Sequence, residues 1–390
     1  MTEKIIIATV MLEHGATGVQ THFRTFKQYL LDRNIEVVVI NPYCSYWWLV
    51  KSVFKITRII DKFNRELGVW LGRYWEYTLL KQALAAQIQN DSSVVLYAQC
   101  PISVKAALDA RHSSKQKVIM VTHFNVSQAD ECVGKRLIKK GGWVYQTIEK
   151  LENETIPLVD GIIYVSKFMK ETLESRIPGV AKVKSDVLSS FITKPIQLDS
   201  IDIKRNLINI GHLEHRKNQS YILCVLSEAK KLGRLYSLTF IGDGEIRGKL
   251  EELAKSLGVE EQVKFLGFQK NAAQFLYSHS VYVHSALMEN SPTVIIEALA
   301  CGLPVLAAPV GGIPEIFSDG VEGLYWSLDN PTAAAEKLIA LMEDTETINR
   351  MAKAAQLRFS SNFESSIVAN RLLSFLYEVS KSRENAASHR

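Results

Sequence analysis

The stretch SVYVHSALMENSPTVIIEALACGLPVLAAPVGGIPEI, residues 280–316, carries the decisive pattern of this 390-residue chain. Its β-branched start reads as a strand over 280–284, and a polar loop follows. An apolar segment long enough for a short helix leads to a second strand over 303–307. Ser291 is placed to cap the helix, and Pro292 suits its first position because it has no N–H to leave unpaired. The N–H groups of Thr293 and Val294 would then be free at the positive end of the helix dipole, an arrangement suited to phosphate. Glu297 lies about one turn inside the helix and Glu289 on the loop before it, so two carboxylates flank one anion position. Asn290 belongs to the same loop. A glutamate inside IIEALACGLPVLAA needs a hydrogen-bonding partner, and a ribose diol is one.

Outward from this unit the same alternation repeats. Strands are expected near 4–10, 35–40, 93–98, 117–122 and 161–165, then near 207–210, 236–241, 262–266, 280–284, 303–307 and 323–326. Each of the second set except the last precedes a helical pattern. This is the signature of parallel sheets with crossover helices, so the expected class is α/β with two Rossmann-like, doubly wound domains facing across a cleft. The segment FITKPIQLDSIDIKRN, 191–206, reads as the linker. The expected domains are 1–195, 196–362 and a C-terminal helix, 363–390, crossing back to the first domain. The tail from about 346 reads as continuous helix up to the polar end SRENAASHR.

Composition fits this picture, with 47% hydrophobic and 22% charged residues. No apolar run reaches the roughly 20 residues that span a bilayer, and IIIATVML, 5–12, lacks a cleavage-site pattern. The expectation is a leaderless cytoplasmic protein, free or at the inner face of the membrane. The five cysteines lie far apart, with no C-x-x-C, so neither a disulfide framework nor a metal site is expected. Residues 1–190 hold 25 Lys+Arg against 18 Asp+Glu, hence +7, whereas the remainder holds 21 against 23, hence −2.

The E-x7-E spacing followed by EALACGLPVLAAPVGGIPEI resembles the signature of the retaining nucleotide-sugar glycosyltransferases of family 4, which have the GT-B fold. FIGDGEIRGKLEELAKSLGVEEQVKFLGF, 240–268, and INIGHLEHRKNQ, 208–219, are similar to further motifs of that family. The likeness is thinner through HGATGVQTHF, VTHFN and VDGIIYVSKFMKETL of the first half. The resemblance implies that Glu289 contacts the donor sugar and Glu297 the ribose hydroxyls, with Thr293 and Val294 on the diphosphate. It places Gly242 and Gly244 against the ligand, and Phe268 facing the base. The donor-binding set is completed by Gly211, which opens the donor domain, and by Asn290, Ser291 and Pro292. No cofactor beyond the donor is implied. A UDP-hexose is the preferred donor, with GDP-sugars left open.

Departure of the nucleoside diphosphate leaves charge on its β-phosphate that fixed cations can stabilise. The sequence has no D-x-D pair to hold a metal there. The family uses an Arg and a Lys, and here Lys217 matches the Lys while His212 stands at the Arg position. Arg216 is an alternative source of the second charge. GATG, with Gly15 and Gly18, can turn the chain and offer N–H groups to a diphosphate, but it is not the G-x-G-x-x-G dinucleotide fingerprint. His123 ends a strand and matches a family histidine near the sugar C6 hydroxyl.

Residues 46–77, YWWLVKSVFKITRIIDKFNRELGVWLGRYWEY, set Lys51, Lys55, Arg58, Lys62 and Arg65 on one helical face. Val53, Ile56, Ile60, Phe63 and Leu67 form another. Such a helix suits an anionic membrane surface, and one packed on its own sheet with a solvated basic face accounts for the pattern equally. Lys135, Arg136, Lys139 and Lys140 would enlarge the patch if they lie nearby. No nucleic-acid module accompanies the charge. The expected activity is metal-independent, retaining hexosyl transfer from an NDP-sugar to a saccharide or lipid-linked saccharide. An epimerase or phosphorylase of the same fold, or a catalytically silent binding subunit, are the alternatives.

Overall fold

The computed structural model describes residues 4–15, 17–88, 93–197 and 205–381. Ala16 of GATG, residues 198–204 of the linker and the SRENAASHR end lie outside them. The chain divides into two compact units, one formed by the segment up to Ser189 with the last helix, Ser365–Lys381, the other by Ser190–Glu364.

The first unit holds β1 (Lys4–Ala8), β2 (Val37–Ile40), β3 (Val94–Ala98), β4 (Gln116–Thr122), β5 (Gly161–Tyr164) and β6 (Ser185–Val187), in the order β2-β1-β3-β4-β5-β6. All pairs are parallel. Helices cover both faces, so β3, β4 and β5 are buried along their whole length. Gly161 leaves room for Phe375 and Val379 of the last helix, and Tyr29 donates to Asn370 at 3.1 Å, which fixes that helix to this unit.

The second unit holds β7 (Arg205–Ile210), β8 (Leu238–Ile241), β9 (Val263–Phe265), β10 (His279–His284), β11 (Val305–Ala307) and β12 (Gly323–Tyr325), also all parallel, in the order β12-β11-β10-β7-β8-β9. One apolar layer, with Leu223, Leu226 and Leu338, covers one side, and a second, with Ile295, Ile296 and Leu299, covers the other. Full burial of each of these last three side chains contributes about 1.5–3 kcal/mol. They account for why so short a helix, Thr293–Ala300, is held in place.

Five expectations need correction. Residues 46–77 form two helices, α2 (Trp47–Phe63) and α3 (Arg65–Gln87). Asn64 is extended between them and its side chain caps α3 by accepting from Leu67 N at 3.1 Å, so Arg65 leaves the face of the other basic residues. Val53 is buried while Ile56 and Phe63 are exposed, so the expected apolar face is divided between core and solvent. The last strand of the second sheet is followed by a helix, Pro331–Glu343, which Asn330 caps. The tail breaks into Thr345–Asn362 and Ser365–Lys381, because Phe363 turns inward to 2% exposure and Glu364 bridges Ile192. Finally, the helix after β10 begins at Thr293 with Pro292 as its cap residue, and no side chain caps it. The Ser291 hydroxyl instead accepts from Ser190 N at 3.1 Å. The three-residue β6 was not expected, since so short a run has no legible period.

Candidate functional site

Strand order in the second sheet reverses between β7 and β10, and open parallel sheets bind ligands beyond the carboxyl ends of the strands at such a point. The two loops leaving these strands are tied together there. Leu287 N donates to the Arg216 carbonyl at 2.9 Å, and the Ser285 hydroxyl donates to the carbonyls of Lys217 and Asn218 at 3.1 and 2.8 Å. The result brings Lys217, Arg216 and Glu289, more than 70 residues apart, onto one spot.

Glu289 is 6% exposed and is the acceptor at the centre. Its Oε1 accepts from Lys217 Nζ and from His284 Nε2 at 3.2 Å, and its Oε2 from Arg216 Nη1 at 3.4 Å. Burial alone would raise this carboxyl, but Lys217, His284 and Arg216 together outweigh it and hold the group well below the usual carboxylate range. Arg216 is further fixed by the Met288 carbonyl at 3.0 Å and Glu214 at 2.8 Å. His212 is exposed, and its carbonyl accepts from Gln219 at 2.9 Å. The second cation at the carboxylate is therefore Arg216.

His284, the last residue of β10, was missed in the sequence. Burial lowers its pKa, although Glu289 opposes this, so the ring is neutral at pH 7. A neutral ring can donate from Nε2 to Glu289 while Nδ1 accepts from the Tyr282 hydroxyl at 3.2 Å. The signal that singled out His123, a histidine at a strand's carboxyl end, would have found it. Gly311 was also missed as a supporting residue. Its φ is +56°, a Cβ there would overlap the Glu289 carbonyl oxygen, and that oxygen accepts from Gly312 N at 3.0 Å.

Glu297 lies one turn into the helix that starts at Thr293, partly buried, and among the described residues its carboxylate has no hydrogen-bond partner. Desolvation lifts its pKa to about 7. Thr293 and Val294 occupy the uncapped first turn. The third side of the site comes from the neighbouring strand ends. Gly211 N donates to Ile241, Gly242 N to Gly267, and Leu213 N to Asp243, at 2.9, 2.9 and 3.0 Å. Gly242, at φ +135°, has its α-carbon against the Gly211 carbonyl, and Gly244 packs as closely on Leu213. Phe268 follows this junction and is 63% exposed, an aromatic face open to a planar ligand.

The remaining expected residues lie in the first unit. His123, just beyond β4, is held near a pKa of about 3 by burial and hydrogen-bonds Gln99 at 3.1 Å. The ring of His22 stands edge-on to it at 4.6 Å. Gly18 opens α1 (Gly18–Leu31), whose start is closed by Thr17 and Gln20 in a capping box. Gly15 packs against the Gln20 amide. Among the described residues no group of three His, Cys, Asp or Glu is placed to hold a metal ion.

Two family models match consecutive parts of the chain: Glycosyltransferase Family 4 over residues 16–192 and Glycosyl transferases group 1 over 193–358. An uncharacterized glycosyltransferase of Methanocaldococcus jannaschii is 32% identical over 68% of this chain and 61% of its own length. An undecaprenol-linked-saccharide N-acetyl-D-galactosaminyltransferase of Campylobacter jejuni is 30% identical over 51% of this chain and 56% of its own. N-acetyl-alpha-D-glucosaminyl L-malate synthase of Bacillus anthracis is 30% identical over 38% and 39%, so the chain matches less than two thirds of each of these relatives. The fold is that of Anabaena HepE, crystallised with UDP, at a TM-score of 0.66 and 17% identity over 96% of this chain and 100% of that one. With both halves matched in order and the switch-point geometry in place, the chain belongs to the family 4, group 1 glycosyltransferases, with the GT-B class of fold.

Proposed function

We propose that this protein transfers a hexosyl unit from a UDP-sugar, with retention of anomeric configuration, to a lipid-linked saccharide in polysaccharide or glycoconjugate synthesis. The observation that carries this reading is the ionised, buried Glu289 held by Lys217, Arg216 and His284 beside the uncapped helix start at Thr293. A diphosphate at that helix start would meet backbone N–H groups and two cations, while Glu289 faces the sugar hydroxyls. Glu297 would accept from the ribose diol, and Phe268 would cover the base. The C1–O bond to the diphosphate breaks, a C1–O bond to the acceptor hydroxyl forms on the same face, and the leaving phosphate takes the acceptor's proton. Lys217 and Arg216 stabilise the charge that grows on the leaving group, a task that needs no metal. UDP is preferred because the structural neighbours include proteins crystallised with it, and a lipid-linked acceptor because the Campylobacter relative is named for one.

The test is release of nucleoside diphosphate from UDP-, GDP- and ADP-sugars with a panel of lipid-linked acceptors, with and without EDTA. The proposal expects turnover of UDP-sugar that EDTA leaves unchanged and that Glu289→Ala and Lys217→Ala each reduce at least a hundredfold, about the loss for one oxyanion-stabilising group. UDP binding without turnover on any acceptor would point instead to a silent binding subunit, and turnover without an acceptor to an epimerase. Absence of nucleotide binding would remove the site assignment.

A further inference from the structure

α2 carries more apolar surface than its own packing uses. Val50 and Val53 turn inward onto Leu79 of α3. On the outer side, Trp48, Ile56, Ile59 and Phe63 recur one or two turns apart and are 57, 55, 50 and 87% exposed. A helix that only closed its own core would place polar residues there. Beside this stripe runs a second, Lys51, Lys55, Arg58 and Lys62, also exposed. The one acidic residue of α2, Asp61, faces Gly68 of α3.

The α2–α3 corner brings in more charge. Glu66, in the first turn of α3, accepts from Lys139 N at 2.9 Å, which sets the loop containing Lys135, Arg136, Lys139 and Lys140 against the start of α3, just after α2 ends. All four are exposed. Trp143, 48% exposed, stands 6.0 Å from Trp70 at the same corner. An apolar stripe, a basic stripe and an aromatic rim thus form one surface within the first unit.

We propose that this surface docks on an anionic phospholipid bilayer. α2 lies in the headgroup plane, with Trp48, Ile56, Ile59 and Phe63 reaching the acyl boundary, and the lysine stripe and the 135–140 loop meet lipid phosphates. A second copy of the chain is the poorer occupant, because a two-fold contact through this face would set the basic stripes against each other. The proposal extends the lipid-linked acceptor reading to a separate surface. Vesicle binding is read without donor or acceptor, so either can fail alone.

The experiment is flotation of the full chain with phosphatidylcholine vesicles, pure or mixed with phosphatidylglycerol, at low and high salt. Partition onto the mixed vesicles is expected, weakened by salt, with little on the pure ones. Lys55→Gln with Lys62→Gln should lower the partition coefficient by roughly twenty-five-fold, from about fivefold per basic residue. Ile59→Ser with Phe63→Ser should lower it at least about tenfold with the charge unchanged. These positions are exposed, so the thermal midpoint should stay in place as the control for folding. Binding that ignores lipid charge, no binding, or unchanged partition of both variants would overturn the proposal. So would a dimer that Ile59→Ser with Phe63→Ser converts to monomer while vesicle binding persists.

Discussion

Replacing Lys217 by Met removes the cation nearest Glu289 and leaves a carboxylate that is 6% exposed with Arg216 at 3.4 Å and one imidazole donor. Removing one partner of a buried ion pair costs about 3–5 kcal/mol when nothing replaces it. The remaining guanidinium lowers this to roughly 2–3 kcal/mol for the second unit. The opposite change, Glu289→Gln, leaves a lysine whose side chain is already 17% exposed and can extend into water, so its cost is nearer about 1 kcal/mol. With the carboxylate absent, adding Lys217→Met costs little more, and the cycle closes with a coupling of about 2 kcal/mol. Urea unfolding of the four proteins, with hydrogen exchange of peptides across 279–300 locating the change, measures it. Acid unfolding adds a check of sign. The Glu289 carboxyl is depressed in the fold, so its stabilisation is complete above the unfolded value near 4.5 and is lost as pH falls through the folded value. Lys217→Met raises that folded value, so the acid loss should become smaller and be complete at a higher pH, and Glu289→Gln should remove this contribution to the acid limb. A coupling below about 0.5 kcal/mol would refute the reasoning, because independent sites add to within that margin.

Three further outcomes are expected. Glu297 has its pKa raised to about 7 by burial, and in its proposed role ribose hydroxyls would donate best to the ionised form. UDP affinity should therefore rise between about pH 6 and 8 with proton release in calorimetry, and Glu297→Gln should flatten the profile. Phe268→Ala should weaken UDP binding by about fivefold, the low end of a stacked aromatic's share, while the melting temperature holds because the ring is 63% exposed. Gly311→Ala forces a Cβ onto the Glu289 carbonyl at φ +56° and should cost about 1–3 kcal/mol, read as a lower urea midpoint and reduced turnover together.

Much of the strand pattern could be read because parallel strands buried on both faces leave continuous β-branched runs, as in KVIMVT of β4 and SVYVH of β10. The errors fall where local pattern and tertiary packing compete. Asn64 interrupts a helical period that continues on both sides, and the period carries no trace of the break. Ser291 has every local property of a cap, yet Ser190, a hundred residues earlier, takes its hydroxyl. Glu289 and Lys217 stood out through resemblance, whereas His284 and Gly311 gain their roles from contacts that no spacing encodes.

By itself the sequence determined the alternation of strands and helices, the turn glycines at strand ends and the carboxylate, cation and aromatic residue types of the candidate site. These are local properties, set by side-chain period, backbone freedom and chemical type. The tertiary structure decided which cation replaces the one absent at His212, since Arg216 reaches Glu289 only after the β7 and β10 loops are joined. It also decided which half of α2 faces solvent, because burial depends on the partner helix rather than on the period. Ionisation belongs to the same category: Glu289 and Glu297 are identical side chains eight residues apart, and burial acts on both, but among the described residues only Glu289 has cations that outweigh it.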